Sequence, residues 1–424
     1  MKKNRIIIAG ASLLVIVLAV VYVTLRSSGS RCENVIPRNC KAIARIDFSN
    51  LHLDDAGATT YRDCGIDFTA QSYLFESADG SFGMVAKLKD DAALSSWLDK
   101  ERKEGRAGEV TERKDVRFCV VRDNFLLGYT SSLALVMGPV MASDRGQLQR
   151  RMVKMLTGKD ADVEESPLFR RLKEIDAPVA IVAEADALPD KFTSPLTLGV
   201  PKGTPLSKIC LSARIEITDD VIVVNSETFS FDAKIDAALK SASSLFSKVS
   251  GRYTQYISSS DMLTMACGVK GSDLLNMLRG NEQLRAMLIG VNTAIDIDKM
   301  LRGVDGDVLL SIADMSGSVS LHADVTDTSW TQDVDYWKRS CPQGTTITDA
   351  GRQSWRFQGN GMDMEFGLTD NGKTLYVNSS RQAEAKPMDP KVKKIVEGKN
   401  LYVIINTDMM KWLSERIRTV VITK

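Results

Sequence analysis

The chain holds 424 residues, 44% of them hydrophobic and 26% charged, which excludes a disordered or collagen-like chain and suits two or three domains. Lys and Arg number 55 against 54 for Asp and Glu, and four of the cations (Lys2, Lys3, Arg5, Arg26) flank one apolar run, so residues 27–424 carry −3 and lack the basic excess of a nucleic-acid binder. The two histidines, His52 and His322, exclude a His-rich metal site and argue against a His-based catalytic relay.

Residues 6–25 are twenty in a row without a charge. A helix of that length spans about 30 Å, the thickness of a bilayer core. Lys2, Lys3 and Arg5 precede it, so the positive-inside rule keeps the N-terminus cytoplasmic and sends the body across. A cleaved signal peptide would have a shorter apolar region and a clearer small-residue site than Ser27 to Ser30. Arg31 precedes Cys32, which argues against a lipidated cysteine. The expectation is an uncleaved signal anchor over 1–31, contacting the lipid bilayer through residues 6–25. It places the chain in the inner (cytoplasmic) membrane as a single-pass protein with its body in the periplasm.

Seven cysteines follow, at 32, 40, 64, 119, 210, 267 and 341, with no CxxC pair. Cys32 and Cys40 are spaced to close a short loop in an oxidising compartment. Cys119, Cys210 and Cys267 lie in strand-like apolar runs and suit buried packing.

Along the body, strand–turn–strand patterns followed by amphipathic helices recur. Residues 70–88 form a hairpin turning at Asp79-Gly80, followed by a helix from Asp90-Asp91 with Leu94, Trp97 and Leu98 on one face. Residues 116–130 form a second, followed by a helix near 131–142. Residues 145–155 form a basic helix with Leu148, Met152 and Met155 on one side, a solvated surface helix rather than a lipid binder. Residues 189–206 hold Pro189, Pro195, Pro201 and Pro205 and form an exposed loop. A third hairpin spans 207–231 with a helix from Asp232, and a fourth spans 307–325 with a helix from about Thr328 to Ser340.

A second pattern is an apolar strand ending near an Asp: 42–51, 179–188, 263–275 and 401–413, with Asp47, Asp186, Asp273 and Asp408 at the turn. Helix capping accounts for an Asp there without chemistry. Four copies of each pattern imply an internally repeated architecture. The fold class is α+β: an N-terminal transmembrane helix, then two related domains of antiparallel sheet with packed helices. The serine-rich segment 248–260 sets the boundary, giving domains at 32–250 and 251–424.

The segments VIPRNCKAIARIDFSNL (35–51) and LRGVDGDVLLSI (301–312) resemble the anchored envelope proteins of Bacteroidota grouped as a domain of unknown function. The two segments cover about thirty residues, and neither is a catalytic motif. This chain departs from the lipidated members in lacking a lipobox. The resemblance implies an envelope location and a repeated α+β fold, and no catalysis.

Gly367 to Thr374, GLTDNGKT, satisfies the P-loop pattern. That pattern needs a helix after the loop, whereas TLYVNSS alternates like a strand, so the segment is a β-turn and no nucleotide is expected. Asp305 and Asp307 in VDGDV suit a tight helix-to-strand turn better than a cation site. His52 beside Asp54 and Asp55 suits a surface turn, and His322 a strand face. Trp97, Trp337 and Trp412 suit helix-to-sheet packing. No residue set is assigned as catalytic, cofactor-binding or metal-binding. The expected role is a non-enzymatic binding or structural module with an envelope protein as partner. A hydrolase whose carboxylates meet only on folding is the alternative.

Overall fold

The structure is a computed structural model. It describes residues 31–50, 63–122, 124–158, 163–188, 200, 203–218, 220–280, 295–314, 318–359, 361–369, 372–379, 387–407 and 417–424. The run at 6–25 lies outside these residues, as do His52, Asp54, Asp55, Asp408, Trp412 and most of 189–206. Among the described residues no helix is long and apolar enough to cross a membrane.

The chain forms two compact α+β units. The first contains β1 (Ala42–Ile46), β2 (Ser72–Glu76), β3 (Phe82–Lys87), α1 (Asp91–Lys103), β4 (Thr111–Arg113), β5 (Val116–Val121), β6 (Phe125–Tyr129) and β7 (Leu133–Gly138). Helices α2 (Arg145–Thr157) and α3 (Pro167–Lys173) follow, then β8 (Val179–Glu184) and β9 (Cys210–Thr218). Every pairing in its sheet is antiparallel, in the order β9–β8–β1–β2–β3–β7–β6–β5–β4. Helix α1 starts where the Asp90 carboxylate accepts the Ala92 and Ala93 N–H groups. It lays Leu94, Trp97 and Leu98 on Ile46, Met84, Leu127 and Tyr129. Helix α2 packs on β5, β6 and β7, burying Leu148, Met152, Val153 and Leu156.

The second unit contains β10 (Val221–Phe229), α4 (Ala233–Ser243), β11 (Phe246–Ser247), β12 (Leu263–Lys270), α5 (Gly271–Gly280), α6 (Ile297–Arg302), β13 (Val304–Ile312) and β14 (Val319–Val325). Then come α7 (Val334–Ser340), β15 (Thr345–Gly351), β16 (Ser354–Gly359), β17 (Met362–Thr369), β18 (Thr374–Ser379), α8 (Pro390–Val396), β19 (Leu401–Asn406) and β20 (Thr419–Thr423). Its order is β10–β20–β19–β12–β13–β14–β18–β17–β16–β15, parallel between β10 and β20 and antiparallel elsewhere; the short β11 also pairs with β12.

Strand for strand, β1 to β9 repeat as β12 to β20. In each unit the second and third strands form a hairpin, a helix follows, and the next four strands form a meander whose last strand pairs with the third. The last two then join the outer side of the first. Trp97 on α1 and Trp337 on α7 fill the corresponding places, Trp337 within a core that includes Trp330 and Trp355. Trp330 stacks parallel to Trp337 with ring centroids 6.2 Å apart. The four strand-to-Asp segments seen in the sequence are two equivalent pairs, β1 with β12 and β8 with β19.

Several expectations need correction. The chain does not divide at residue 250: β10 pairs with β20, so residues 220–250 belong to the second unit. The segment 248–260 is packed, with Tyr253 and Ile257 buried in the core of Val221, Leu309, Tyr402 and Val421. The helix expected near 131–142 is strand β7, whose six residues are all buried. A strand covered on both faces is apolar throughout and loses its period-two signature. Cys32 and Cys40 form no disulfide; both are free, buried thiols. Asp305 and Asp307 are not at a helix-to-strand turn but within β13, beside a β-bulge between Val304 and Val308.

Candidate functional site

Two groups of polar side chains stand out, one in each unit. In the first unit, pairing of β1 with β2 and β8 brings Lys41, Glu76 and Glu184 to one end of the sheet. There Lys41 N–H donates to the Glu76 carbonyl (2.8 Å) and Glu184 N–H to the Lys41 carbonyl (2.7 Å). The short 3-10 turn Ala185–Ala187 then places Asp186 on the Lys41 ammonium at 2.8 Å. Burial pushes the Glu184 carboxyl up to about 7, and the Asp186 charge adds to that. Burial also raises Glu76. The hydrogen bond to Asp186 raises Lys41. Glu184 thus carries a proton near neutrality while Asp186 is paired with a cation. Cys210 lies opposite Glu184 in the ladder, and burial pushes its thiol up to about 12, which keeps it protonated and unreactive.

In the second unit the site is built on β13, β14, β17 and β18. The Asp307 carboxylate, almost fully buried, accepts the Ser250 N–H (2.9 Å to each oxygen) and the Ser250 hydroxyl (2.6 Å). That fixes the start of the segment leading to the 3-10 turn Thr254–Tyr256. Tyr253 donates to Asp324 at 2.7 Å, and Arg252 donates to the same carboxylate oxygen at 2.8 Å. Tyr256 stacks on His322, with ring centroids 4.0 Å apart and planes within 5°. His322 is 8% exposed, its Nδ1 buried without a hydrogen-bond partner, whereas Tyr256 is 47% exposed. Burial lowers the His322 pKa to about 4, so the imidazole is neutral. Across the ladder from His322 stands Tyr376, which donates to Glu365 at 2.7 Å. Ser354 donates to the same Glu365 oxygen at 2.8 Å, and these two bonds hold Glu365 below the usual carboxylate range. Arg356 binds Asp363 through two nitrogens at 2.7 and 2.6 Å.

An open cleft of about 430 Å³ also lies in the first unit, lined by Glu112, Asp115, Arg117, Thr130, Ser131 and Thr157. Its arginine is engaged: the guanidinium binds Asp91 and Ser95 and lies over the Tyr129 ring.

The residues flagged in the sequence have local duties. Asp47 accepts from Ser49 and Asn50 in its own turn, and Asp273 sits in the first turn of α5. Asp186 caps no helix; its partner is Lys41. The P-loop-like segment runs from the end of β17 to the start of β18, with Thr369 opposite Thr374 and Gly372 at φ +87°. The helix a phosphate loop requires does not follow it. Cys119, Cys210 and Cys267 are buried on β5, β9 and β12, and Trp97 and Trp337 pack helices on sheets. Among the described residues no group of three His, Cys, Asp or Glu side chains is placed to hold a metal ion. His322 and Asp307 are the flagged residues that join the second site. Tyr253 and Tyr256 escape sequence reasoning because a polar, serine-rich surround conceals them. Their spacing of three, which puts both rings on one side of a turn, is the signal that could have found them.

No curated protein matches the chain. Solved structures of TP0453 are similar to the chain: crystal form I has 10% identity and a TM-score of 0.32, covering 51% of this chain and 84% of that one. Crystal form III has 11% identity and a TM-score of 0.32, covering 51% and 87%. Residues 59–419 match a family described as a domain of unknown function, DUF4836. The chain belongs to that family.

Proposed function

We propose that this member of the DUF4836 family is a membrane-anchored envelope protein whose folded body binds another envelope component without catalysing a reaction. The anchor is the uncharged run at 6–25, inserted in the inner membrane with the body in the periplasm; the envelope proteins of Bacteroidota that residues 35–51 resemble also begin with a membrane or lipid anchor. The observation that carries the binding reading is the half-exposed Tyr256 held flat on the buried His322. An aromatic ring kept in water yet fixed in place offers contact area that loses little freedom on binding.

Cross-linking in intact cells tests this. Full-length protein is compared with a form whose residues 1–31 are replaced by a cleavable signal peptide, both captured with an antibody to the body. The expected result is the same envelope component on both forms, with less of it on the Tyr256→Ala variant. Capture of nothing above background by either form sinks the reading.

A second reading, an envelope hydrolase, draws on Glu184. A carboxyl that keeps its proton near pH 7 is fit to be a general acid. Substrate turnover by the full-length chain that falls about a hundredfold or more in Glu184→Gln would favour it over the binding role.

A further inference from the structure

We propose that the sheet face carrying Tyr256, His322, Tyr376 and Glu365 is a binding site for a neutral glycan. The inference rests on the reading of the body as a binding module and names the class of one ligand.

The internal repeat makes the case. In the first unit β5, β6 and β7 turn Phe118, Leu126, Leu135 and Met137 to the face under α2, and all four are at most 1% exposed. On that face Met152 of α2 approaches within 3.0 Å of where a Gly128 Cβ would lie. The second unit has the same strands in the same register. Gly367 stands opposite Ser354 and Tyr376, as Gly128 stands opposite Phe118 and Leu135. Glu365 stands opposite Arg356 and Asn378, as Leu126 stands opposite Val120 and Met137. The apolar set Phe118, Leu126, Leu135 and Met137 has therefore become Ser354, Glu365, Tyr376 and Asn378. The opposite face stays apolar in both units, with Phe366 and Leu368 in the tryptophan core as Leu127 and Tyr129 are in the first. One face alone has changed chemistry, and Glu365 on it is exposed.

Its chemistry suits sugar hydroxyls. Hydroxyl, amide and carboxylate groups lie on neighbouring strands, with Ser320 donating to Asn378 at 2.8 Å and Tyr376 to Glu365 at 2.7 Å. From β14 to β17 is two strand spacings, roughly 10 Å. At the β14 side the Tyr256 ring offers a flat apolar platform for the C–H face of a pyranose. The charges are Arg252 with Asp324, Arg356 with Asp363, and Glu365, two cations and three carboxylates. A slightly negative surface repels phosphorylated or acidic ligands and accepts neutral ones. Protein hot spots need a desolvated apolar pocket, and a single platform within polar groups is a poorer match to that.

The test uses the full-length chain in a detergent without a sugar headgroup. Cello-, laminari-, malto-, manno- and chito-oligosaccharides are titrated calorimetrically at up to millimolar concentration. At least one is expected to bind. Tyr256→Ala should weaken it about tenfold or more, and Tyr256→Phe should keep it within about twofold. Glu365→Ala, an exposed change that leaves the core intact, should weaken it several-fold, and Tyr336→Ala, at an exposed tyrosine on α7, should leave it unchanged. The proposal is overturned if no oligosaccharide binds, if Tyr256→Ala and Glu365→Ala both bind like the parent, or if sulfated or phosphorylated sugars bind more tightly. A protein captured through Tyr256 with no sugar bound would also overturn it while leaving the binding-module reading in place.

Discussion

His322 is the residue whose protonation bears most directly on stability. Its folded pKa is about 4 against 6.5 for a free imidazole. Between those values the unfolded chain binds the proton and the folded one does not, so stability falls as pH drops through that window. The stabilisation is complete above about 6.5 and lost as pH falls through 4. The loss is expected to reach about 3 kcal/mol, and His322→Gln should remove most of that slope; denaturant unfolding of both proteins at pH 7 and pH 4.5 measures it. Glu184 works in the opposite sense. Its folded pKa lies near 7 against 4.5, so its effect on stability is most favourable below 4.5 and declines as pH rises through 7. Glu184→Gln is expected to raise the melting temperature at pH 8 and change it little at pH 4. Neither shift was legible in the sequence. His322 sits in an alternating strand, and nothing local says that Tyr256 covers it. Glu184 and Lys41 are 143 residues apart in number and meet only through strand pairing.

At the scale of elements, the segment 248–260 depends on one carboxylate. Asp307 accepts three hydrogen bonds from Ser250, and its own N–H donates to Asp324. Asp307→Ala leaves the Ser250 donors without an acceptor and is expected to cost about 3 kcal/mol. Hydrogen exchange should show the Tyr253 and Ile257 amides losing protection first. The contact between α5 and α6 is equally constrained: a Cβ on Gly271 would lie 1.6 Å from the Leu301 carbonyl oxygen, so Gly271→Ala forces the two helices apart. The hairpin at 70–88 was legible because Asp79-Gly80 marks its turn, with Gly80 at φ +78°, and the one at 307–325 because β13 alternates buried and more exposed residues. The start of α1 was legible because Asp90 satisfies free N–H groups with its own side chain. Strand β7 was not legible, because burial on both faces erases the alternation that identifies a strand. The segment 248–260 looked like a linker because its serines and glycine dominate the composition, while its three anchoring residues, Ser250, Tyr253 and Ile257, are widely spaced.

At the scale of the whole molecule, the repeat was legible as four copies of a strand-to-Asp pattern. Which copies correspond was not, because equivalence is set by pairing order rather than by spacing along the chain. It carries an expectation for the two tryptophans. Trp97→Ala should lower amide protection across β1–β7, and Trp337→Ala across β12–β18, each by about 3–5 kcal/mol, as hydrogen exchange in native buffer would report. The open face of the second unit was illegible for the same reason: Glu365 becomes informative only when set beside the buried Leu126 of the first unit.

The place of β20 sets an order of events during synthesis. This strand is near the end of the chain, yet it lies inside its sheet, with β10 on one side and β19 on the other and Val421 fully buried. A chain made from its N-terminus delivers β10 about two hundred residues before the strand that joins it to the rest of its unit. At roughly 5–20 residues per second that is a wait of tens of seconds or less, during which one side of β10 lacks its β20 partner, whereas β19 is made only seconds before β20. In that interval the unfinished sheet offers exposed strand edges to any other extended segment nearby.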